Sequence, residues 1–310
     1  VALQDASNGE AWFQFSAVGD LLSMVVDGSR EIRAWNLHTG QPVAPPMKLD
    51  ASIFAFNHAI SSDGKRLAAG ANDGTIRVWD VATNRALFDL KPFPERQVNR
   101  VVFSPDGTRL ATTNPSGEVR LWDGTNGRPV SPVLHHRTRA DPAVFSHDSR
   151  TLATSSFDGT ARVWDARDGA PIGEPMVHPG ILVNVQFNAD GSRIATVSAD
   201  GTGRIWDTRT GLALTEAMRH NSTLIWRDLV QAANGQFSPG DGRFMCTFSA
   251  SHIYLWPVPP DGGGVPAPEW LLRLATICAG KRVTPDGTLV DAADEMEKID
   301  EVRRELAALS

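Results

Sequence analysis

The sequence has little cysteine, no long apolar run and no basic run, and each absence excludes a class of protein. Only Cys246 and Cys278 occur among its 310 residues, too few for a disulfide framework or for a zinc site built on cysteine. No apolar stretch is long enough to cross a bilayer as a helix. No charged start followed by an apolar core marks a signal peptide. We therefore expect no membrane insertion, and the cytoplasm is the favoured location.

The charge of the chain is mildly acidic and unevenly distributed. The net charge is -6 at pH 7, and residues 291–310 alone carry seven acids and three bases. The rest of the chain is therefore close to neutral. Binding to DNA or RNA depends on clustered Lys and Arg that neutralise phosphates, so we expect no nucleic-acid partner.

A repeat of about 43 residues dominates the chain, and such a period is typical of solenoids and propellers. Six tryptophans recur in one local frame, at spacings of 44, 43, 42, 42 and 50 residues. They are Trp35, Trp79, Trp122, Trp164, Trp206 and Trp256. The repeat predicts one supersecondary unit copied along the chain.

Each copy carries three turn signals between short apolar segments. In the best-formed copies they read as in Ser104-Pro-Asp-Gly107, Phe157-Asp158-Gly159 and Asp168-Gly169, and Asp-Gly favours tight hairpin turns. Apolar residues alternate before the tryptophan, as at Ala161 and Val163, which is the period of a strand. The unit therefore predicts four short strands, with both faces of the sheet covered, as in blades around an axis.

This pattern resembles the WD40 repeat family over about residues 1–258. Four of the six copies keep the Trp-Asp pair, whereas Trp35-Asn36 and Trp256-Pro257 depart from it. The resemblance implies an all-β, WD40-type β-propeller of four-stranded antiparallel blades. Six blades are expected if the N-terminal strand completes the last one, and seven if residues before Val1 add another. The chain should leave the last blade at Pro257, which cannot donate to a ladder.

The resemblance also implies a buried tetrad of His, Ser or Thr, Asp and Trp within a blade. Two copies accommodate it: His136, Ser156, Asp158 and Trp164 in one, and His178, Ser198, Asp200 and Trp206 in the other. The copy that ends at Trp122 reads Asn114-Pro115-Ser116 at this turn, with no histidine before it, and should lack the tetrad. Because the trios of Ser, His and Asp recur once per blade, we interpret them as architectural. We expect no catalytic residue, no metal site and no cofactor.

The function that this resemblance implies is a non-catalytic protein-interaction scaffold or sensor. Partners of such propellers dock on the face made by the turns between second and third strands and by the loops that enter each inner strand. Arginine and aromatic residues are the usual anchors of interfaces. The candidates for binding a protein or peptide partner are Arg30, Arg96, Arg139, Phe157 and Trp226, each of which could equally be a solvated or locally packed side chain.

An alternative is a propeller enzyme with a metal or small-molecule site in the central channel. The innermost strands disfavour it, because they contain apolar residues such as Val101–Phe103 and Val185 and offer no ring of carboxylates. An insertion at Asn221–Gln236 contains Trp226 and is consistent with either a longer strand or a binding loop.

The end of the chain differs from the repeats in composition. Residues 259–268 form a linker rich in Pro and Gly, and residues 269–310 predict a helical extension with a small hairpin around Asp286-Gly287. Together with phrases such as Gly127-Arg-Pro, this tail resembles bacterial propellers found C-terminal to Ser/Thr protein kinase domains. That second resemblance, and a first residue Val1 rather than Met, predict a piece of a larger bacterial signalling protein with a fused kinase module.

Overall fold

The computed structural model describes residues 11–17, 19–26, 28–93, 97–219, 234–237, 244–249, 252–258, 281–283 and 289–291. Arg96, Trp226, Cys278 and the linker lie outside these residues, and so does the expected helical extension except for residues 281–283 and 289–291. Within the described part all regular structure is β-strand. No helix there is long and apolar enough to span a membrane.

Five four-stranded antiparallel sheets and one three-stranded sheet follow one another along the chain. Blade 1 contains β1 (Ala11–Phe15), β2 (Leu21–Val26), β3 (Glu31–Asn36) and β4 (Met47–Lys48). Blade 2 contains β5 (Ile53–Ile60), β6 (Arg66–Ala71), β7 (Ile76–Asp80) and β8 (Arg85–Leu90). Blade 3 contains β9 (Arg100–Phe103), β10 (Arg109–Thr113), β11 (Glu118–Asp123) and β12 (Leu134–His135).

The second half of the chain repeats the same order. Blade 4 contains β13 (Ala140–Phe145), β14 (Thr151–Ser156), β15 (Thr160–Asp165) and β16 (Pro171–Val177). Blade 5 contains β17 (Leu182–Phe187), β18 (Arg193–Ser198), β19 (Thr202–Asp207) and β20 (Met218–Arg219). Blade 6 contains β21 (Asn234–Phe237), β22 (Phe244–Ser249) and β23 (His252–Pro257). The short strands β24 (Lys281–Val283) and β25 (Leu289–Asp291) pair with each other.

The tight turns between second and third strands depend on glycine. Gly159 has φ +82°, and a Cβ atom there would lie 2.7 Å from the carbonyl oxygen of His178. Only glycine avoids both the left-handed strain and this contact. The turn can therefore close directly beneath the loop that leads into the next blade.

Adjacent blades bury the core between their faces. Ala111 and Leu121 of blade 3 form one cluster with Phe145, Leu152 and Trp164 of blade 4, and the same arrangement recurs between blades 4 and 5. Each buried large side chain contributes about 1.5–3 kcal/mol. The sequence prediction of stacked sheets covered on both faces is confirmed for blades 2–5.

Arginines at the start of second strands tie neighbouring blades together. Arg66 Nη1 donates to the carbonyl oxygen of Gly124 at 2.6 Å, and Arg109 Nε donates to that of Ala166 at 2.9 Å. Both acceptors belong to the following blade, in its turn between third and fourth strands. These bonds fix the angle between blades at the lower face, which is the end of the propeller that carries these turns.

The outer face of blade 1 presents apolar side chains to solvent. Phe13 is 56% exposed and Phe15 is 64% exposed, whereas the residues at the same register in blade 4, Ala143 and Phe145, are buried. The strand expected to close the ring falls in residues 1–10, outside the described part. The count of six or seven blades therefore stays a prediction.

Candidate interaction face

A continuous hydrogen-bonded network occupies the interior of blade 4. Trp164 Nε1 donates to Thr154 Oγ1 at 2.8 Å, and Thr154 Oγ1 lies 2.8 Å from His136 Nε2. On the other side of the ring, His136 Nδ1 lies 3.1 Å from Thr160 Oγ1. The Thr160 hydroxyl donates to Asp158 Oδ1 at 2.6 Å.

These contacts determine which ring nitrogen of His136 carries the proton. Because the Thr160 hydroxyl proton is engaged by Asp158, Thr160 can only accept from the ring, so His136 carries its proton on Nδ1. The Nε2 lone pair is then left to accept from the Thr154 hydroxyl. Each threonine hydroxyl on this path donates one hydrogen bond and accepts another, and both ring nitrogens of His136 have a partner, which is the condition for burying these groups without a large penalty.

The hydroxyl in this network is Thr154, and the assignment of Ser156 from sequence was wrong. Thr154 lies opposite Arg162, two residue pairs from Leu152–Trp164, and diagonal neighbours at this spacing are within reach of a large aromatic ring. Ser156 lies two residues further towards the turn. Its hydroxyl donates to the carbonyl oxygen of Thr138 at 3.1 Å.

Blade 5 contains the same network, and there too the hydroxyl belongs to a threonine and not to the serine expected from the sequence. His178 Nε2 lies 2.7 Å from Thr196 Oγ1, which accepts from Trp206 Nε1 at 2.7 Å. Thr202 bridges His178 Nδ1, at 3.3 Å, to Asp200 Oδ1, at 2.6 Å. Ser198, which the sequence analysis had placed in the tetrad, donates instead to a backbone carbonyl, that of Ile181, at 3.1 Å.

Burial sets the charge state of both histidines. It lowers the pKa of His136 to about 4, although the nearby Asp158 acts in the opposite direction. It lowers the pKa of His178 to about 4 in the same way, against Asp200. Both rings are therefore neutral at pH 7. Burial would raise the pKa of Asp158, but hydrogen bonds from Thr160 and from the backbone N–H of Arg137 outweigh it and lower that pKa.

In blade 3 the tryptophan also donates a hydrogen bond to a threonine hydroxyl, although this blade has no histidine in the network. Trp122 Nε1 donates to Thr112 Oγ1 at 3.1 Å. At the turn, Asn114 Oδ1 accepts from the backbone N–H groups of Ser116 and Glu118, at 3.0 and 2.9 Å. This asparagine closes the turn locally, in place of the path through a histidine that blades 4 and 5 use.

The upper face is the end of the propeller that carries the turns between second and third strands and the loops entering the innermost strands. There Arg139 stacks over the ring of Phe157, with its Cζ 5.4 Å from the ring centroid. Its Nη2 donates to Asp141 Oδ2 at 3.1 Å. Arg100 of blade 3 donates to Asp141 Oδ1 through Nε and Nη2, at 3.1 and 2.9 Å.

Two of the five residues predicted to contact a partner are thus brought together. Arg139 is half-exposed beside Phe157, whereas Arg30 is exposed in the corresponding turn of blade 1. Arg96 and Trp226 lie outside the described residues. The sequence analysis did not nominate Arg100 and Asp141 as partner-contacting residues. It considered only the apolar residues of the innermost strands, and these two polar residues lie at the upper ends of such strands.

No group of three or more His, Cys, Asp or Glu side chains that could hold a metal ion occurs in the described ranges. The polar side chains at the upper end of β9 and β13 pair an acid with two arginines. Of this cluster Arg139 is the most exposed member, with 42% of its side chain accessible, and it is therefore the group best placed to meet the charge of a partner.

Comparison with known proteins agrees with this architecture. Four segments match the family described as "WD domain, G-beta repeat", namely residues 50–80, 90–123, 138–165 and 171–207. WD repeat-containing protein VIP3 of Arabidopsis thaliana is 32% identical over 117 residues, which cover 34% of this chain and 36% of that protein. The chain therefore spans about a third of the length of this curated relative.

A solved structure shows the same fold at lower sequence similarity. The computationally designed Ika8 protein matches with a TM-score of 0.64 and 22% identity, over 79% of this chain and 70% of that one. The four matched segments, which lie between residues 50 and 207, are similar to WD40 repeats, and the fold is that of a WD40-type β-propeller. WD40 repeats are typical of non-catalytic protein-interaction scaffolds.

Proposed function

We propose that this chain is a protein-interaction scaffold whose partner docks on the upper face at the junction of blades 3 and 4. One observation carries the proposal: the half-exposed Arg139 lies over the partly buried ring of Phe157 and pairs with Asp141, which Arg100 also contacts. Arginine and aromatic anchors in a restrained position are characteristic of interface hot spots. The buried network of blade 4 supports the loop and the turn that present them.

The test uses a partner that is first captured and then purified. Proteins retained by the wild-type propeller are identified, produced separately, and titrated against the propeller by calorimetry. Arg139→Glu should weaken binding at least about tenfold, because one stacked arginine contributes on the order of 1.4 kcal/mol or more at a hot spot. Arg128→Glu changes the charge equally at an exposed position of the lower face and should leave the affinity unchanged. Equal binding by the wild type and the Arg139 variant would refute the docking site.

We further propose that the scaffold serves a bacterial signalling protein in which a Ser/Thr kinase module accompanies the propeller. Support comes from the phrases Gly127-Arg-Pro and Gly169-Ala-Pro and from the tail that follows the repeats. The plant relative lends this part no support. Reading the coding sequence upstream of Val1 tests it: a Gly-rich loop and a catalytic Asp there are expected, and a stretch without them contradicts the hypothesis.

A further inference from the structure

A basic loop on the upper face joins β12 to β13 and reads His135-His136-Arg137-Thr138-Arg139. His136 anchors this loop in the buried network of blade 4, while the side chains of Arg137 and Thr138 are exposed. The corresponding loop of blade 5, residues 178–181, contains no arginine or lysine. Two arginines thus distinguish this loop from its counterpart in blade 5.

The acids near this loop are already engaged. Asp158 accepts at Oδ1 from the backbone N–H and the hydroxyl of Thr160, at 2.8 and 2.6 Å, and at Oδ2 from the backbone N–H of Arg137, at 2.8 Å. Asp141 is shared between Arg100 and Arg139. Within the described part of the chain the Arg137 side chain makes no ion pair. The loop therefore offers a guanidinium without a counter-ion beside a second one that is only partly satisfied.

Arg139 keeps donor capacity for a ligand. A guanidinium has five N–H donors in a fixed fork. Arg139 Nε is buried and Asp141 accepts from Nη2, so the donors left for a ligand are those of the two terminal nitrogens that Asp141 does not use. The Cζ atom of Arg139 lies 5.4 Å from the centroid of the Phe157 ring, and this contact restrains the guanidinium together with Asp141. A preorganised fork of this kind fits a carboxylate with two parallel hydrogen bonds.

We propose that the basic loop recognises a carboxylate side chain within an acidic peptide segment of the partner. This inference rests on the proposed scaffold function and names the chemistry of its partner. The carboxylate pairs with Arg139 and Arg137, and an adjacent apolar side chain of the peptide packs on the exposed edge of Phe157.

The neighbouring acids favour a carboxylate over a phosphate. A phosphorylated side chain carries about -1.5 to -2 charge at pH 7, and like charge nearby opposes its binding. Asp141 and Asp158 both lie beside the loop, so their repulsion increases with the charge of the ligand. A singly charged carboxylate meets about one half to two thirds of that repulsion and still accepts two hydrogen bonds from the fork.

The experiment is a selection of random twelve-residue peptides displayed on phage against the full chain. The selected set should be enriched in Asp and Glu, and the enrichment should vanish with Arg137→Gln/Arg139→Gln. The matched control is Arg128→Gln/Arg209→Gln, which removes two exposed arginines from turns of the lower face. Both double variants are first shown to unfold at the temperature of the wild type.

The consensus peptide is then synthesised and its affinity measured by fluorescence anisotropy. Replacing its key Glu by Gln should weaken binding at least about tenfold, and replacing it by phosphoserine should also weaken it. A phosphoserine peptide that binds more tightly than the Glu peptide would overturn the choice of carboxylate.

The outcomes separate this inference from the scaffold function. If the selected peptides are not acidic but lose binding with Phe157→Ala, the acidic ligand is wrong and the docking site stands. If no selected peptide depends on Arg137, Arg139 or Phe157, both the acidic ligand and the docking site on this face are refuted.

Discussion

The stability of this propeller should fall steeply between pH 7 and pH 5, because two buried histidines must gain a proton on unfolding. The pKa of His136 and that of His178 lie at about 4 in the folded chain, against an ordinary value of 6.5. The unfolded chain therefore binds more protons than the folded one between these values, and the free energy of unfolding rises with pH. The stability is fully present above pH 6.5 and is lost progressively as the pH approaches 4.

The size of the effect follows from the two pKa values. At pH 5 the unfolded histidine is almost fully protonated and the folded one almost fully neutral. Relative to pH 7, each ring therefore costs about 2 kcal/mol. Both together cost about 4 kcal/mol, a large part of the 5–15 kcal/mol that is typical of a folded domain. Asp158 contributes in the same direction only below its ordinary pKa of 3.8, since its own pKa is lowered.

Urea unfolding at pH 5, 6 and 7, followed by tryptophan fluorescence, measures this dependence. The double variant His136→Gln/His178→Gln removes both titrations and should flatten the dependence by about 4 kcal/mol over this range, whatever its stability at pH 7. The exposed His147 provides the control substitution. A double variant that retains the dependence of the wild type would show that the two rings are not held neutral by the fold, and the proton path through Thr154 and Thr160 would then be wrong.

Three substitutions test the remaining contacts by urea unfolding at pH 7. Thr154→Val leaves the donor of Trp164 and the acceptor of His136 unpaired and should cost about 3 kcal/mol, against about 1 kcal/mol for Ser156→Ala; equal costs would restore the serine to the network. Arg109→Met removes a bond between blades and should cost about 1.5 kcal/mol, and no loss would show that this bond does not hold the blades together. Gly117→Ala forces a side chain into a left-handed turn and against the carbonyl oxygen of Thr138; it should cost about 3 kcal/mol, and a neutral result would mean that the turn adopts another conformation.

Much of the fold could be predicted from the sequence, because the information is repeated in every copy. The tryptophan spacing and the Asp-Gly turns determine strand number and order through short-range chemistry alone. The network was harder to assign. Ser156 and Thr154 are both hydroxyl residues on the same face of β14, and only the register against β15 decides which of them the Trp164 ring reaches. A pattern of residue types contains no such distance.

The interaction face was only partly accessible for a related reason. Arg139 and Phe157 are distinguishable by residue type, so sequence could nominate both. Asp141 and Arg100 acquire their role from packing, since they belong to different blades and lie 41 residues apart along the chain. Pairs that form across a blade junction depend on the angle between sheets, which no local pattern encodes.

The network of blade 4 and the interaction face are physically continuous, and this connection explains why a polar core suits a binding scaffold. Asp158 accepts from Thr160 inside the blade and from the backbone of Arg137 at the surface, so the loop is held from beneath by the same carboxylate that orders the buried path. A loop fixed in this way loses less conformational entropy when a partner binds. An apolar core could supply equal stability, but it would leave the backbone N–H of Arg137 without an acceptor and the basic loop free to move.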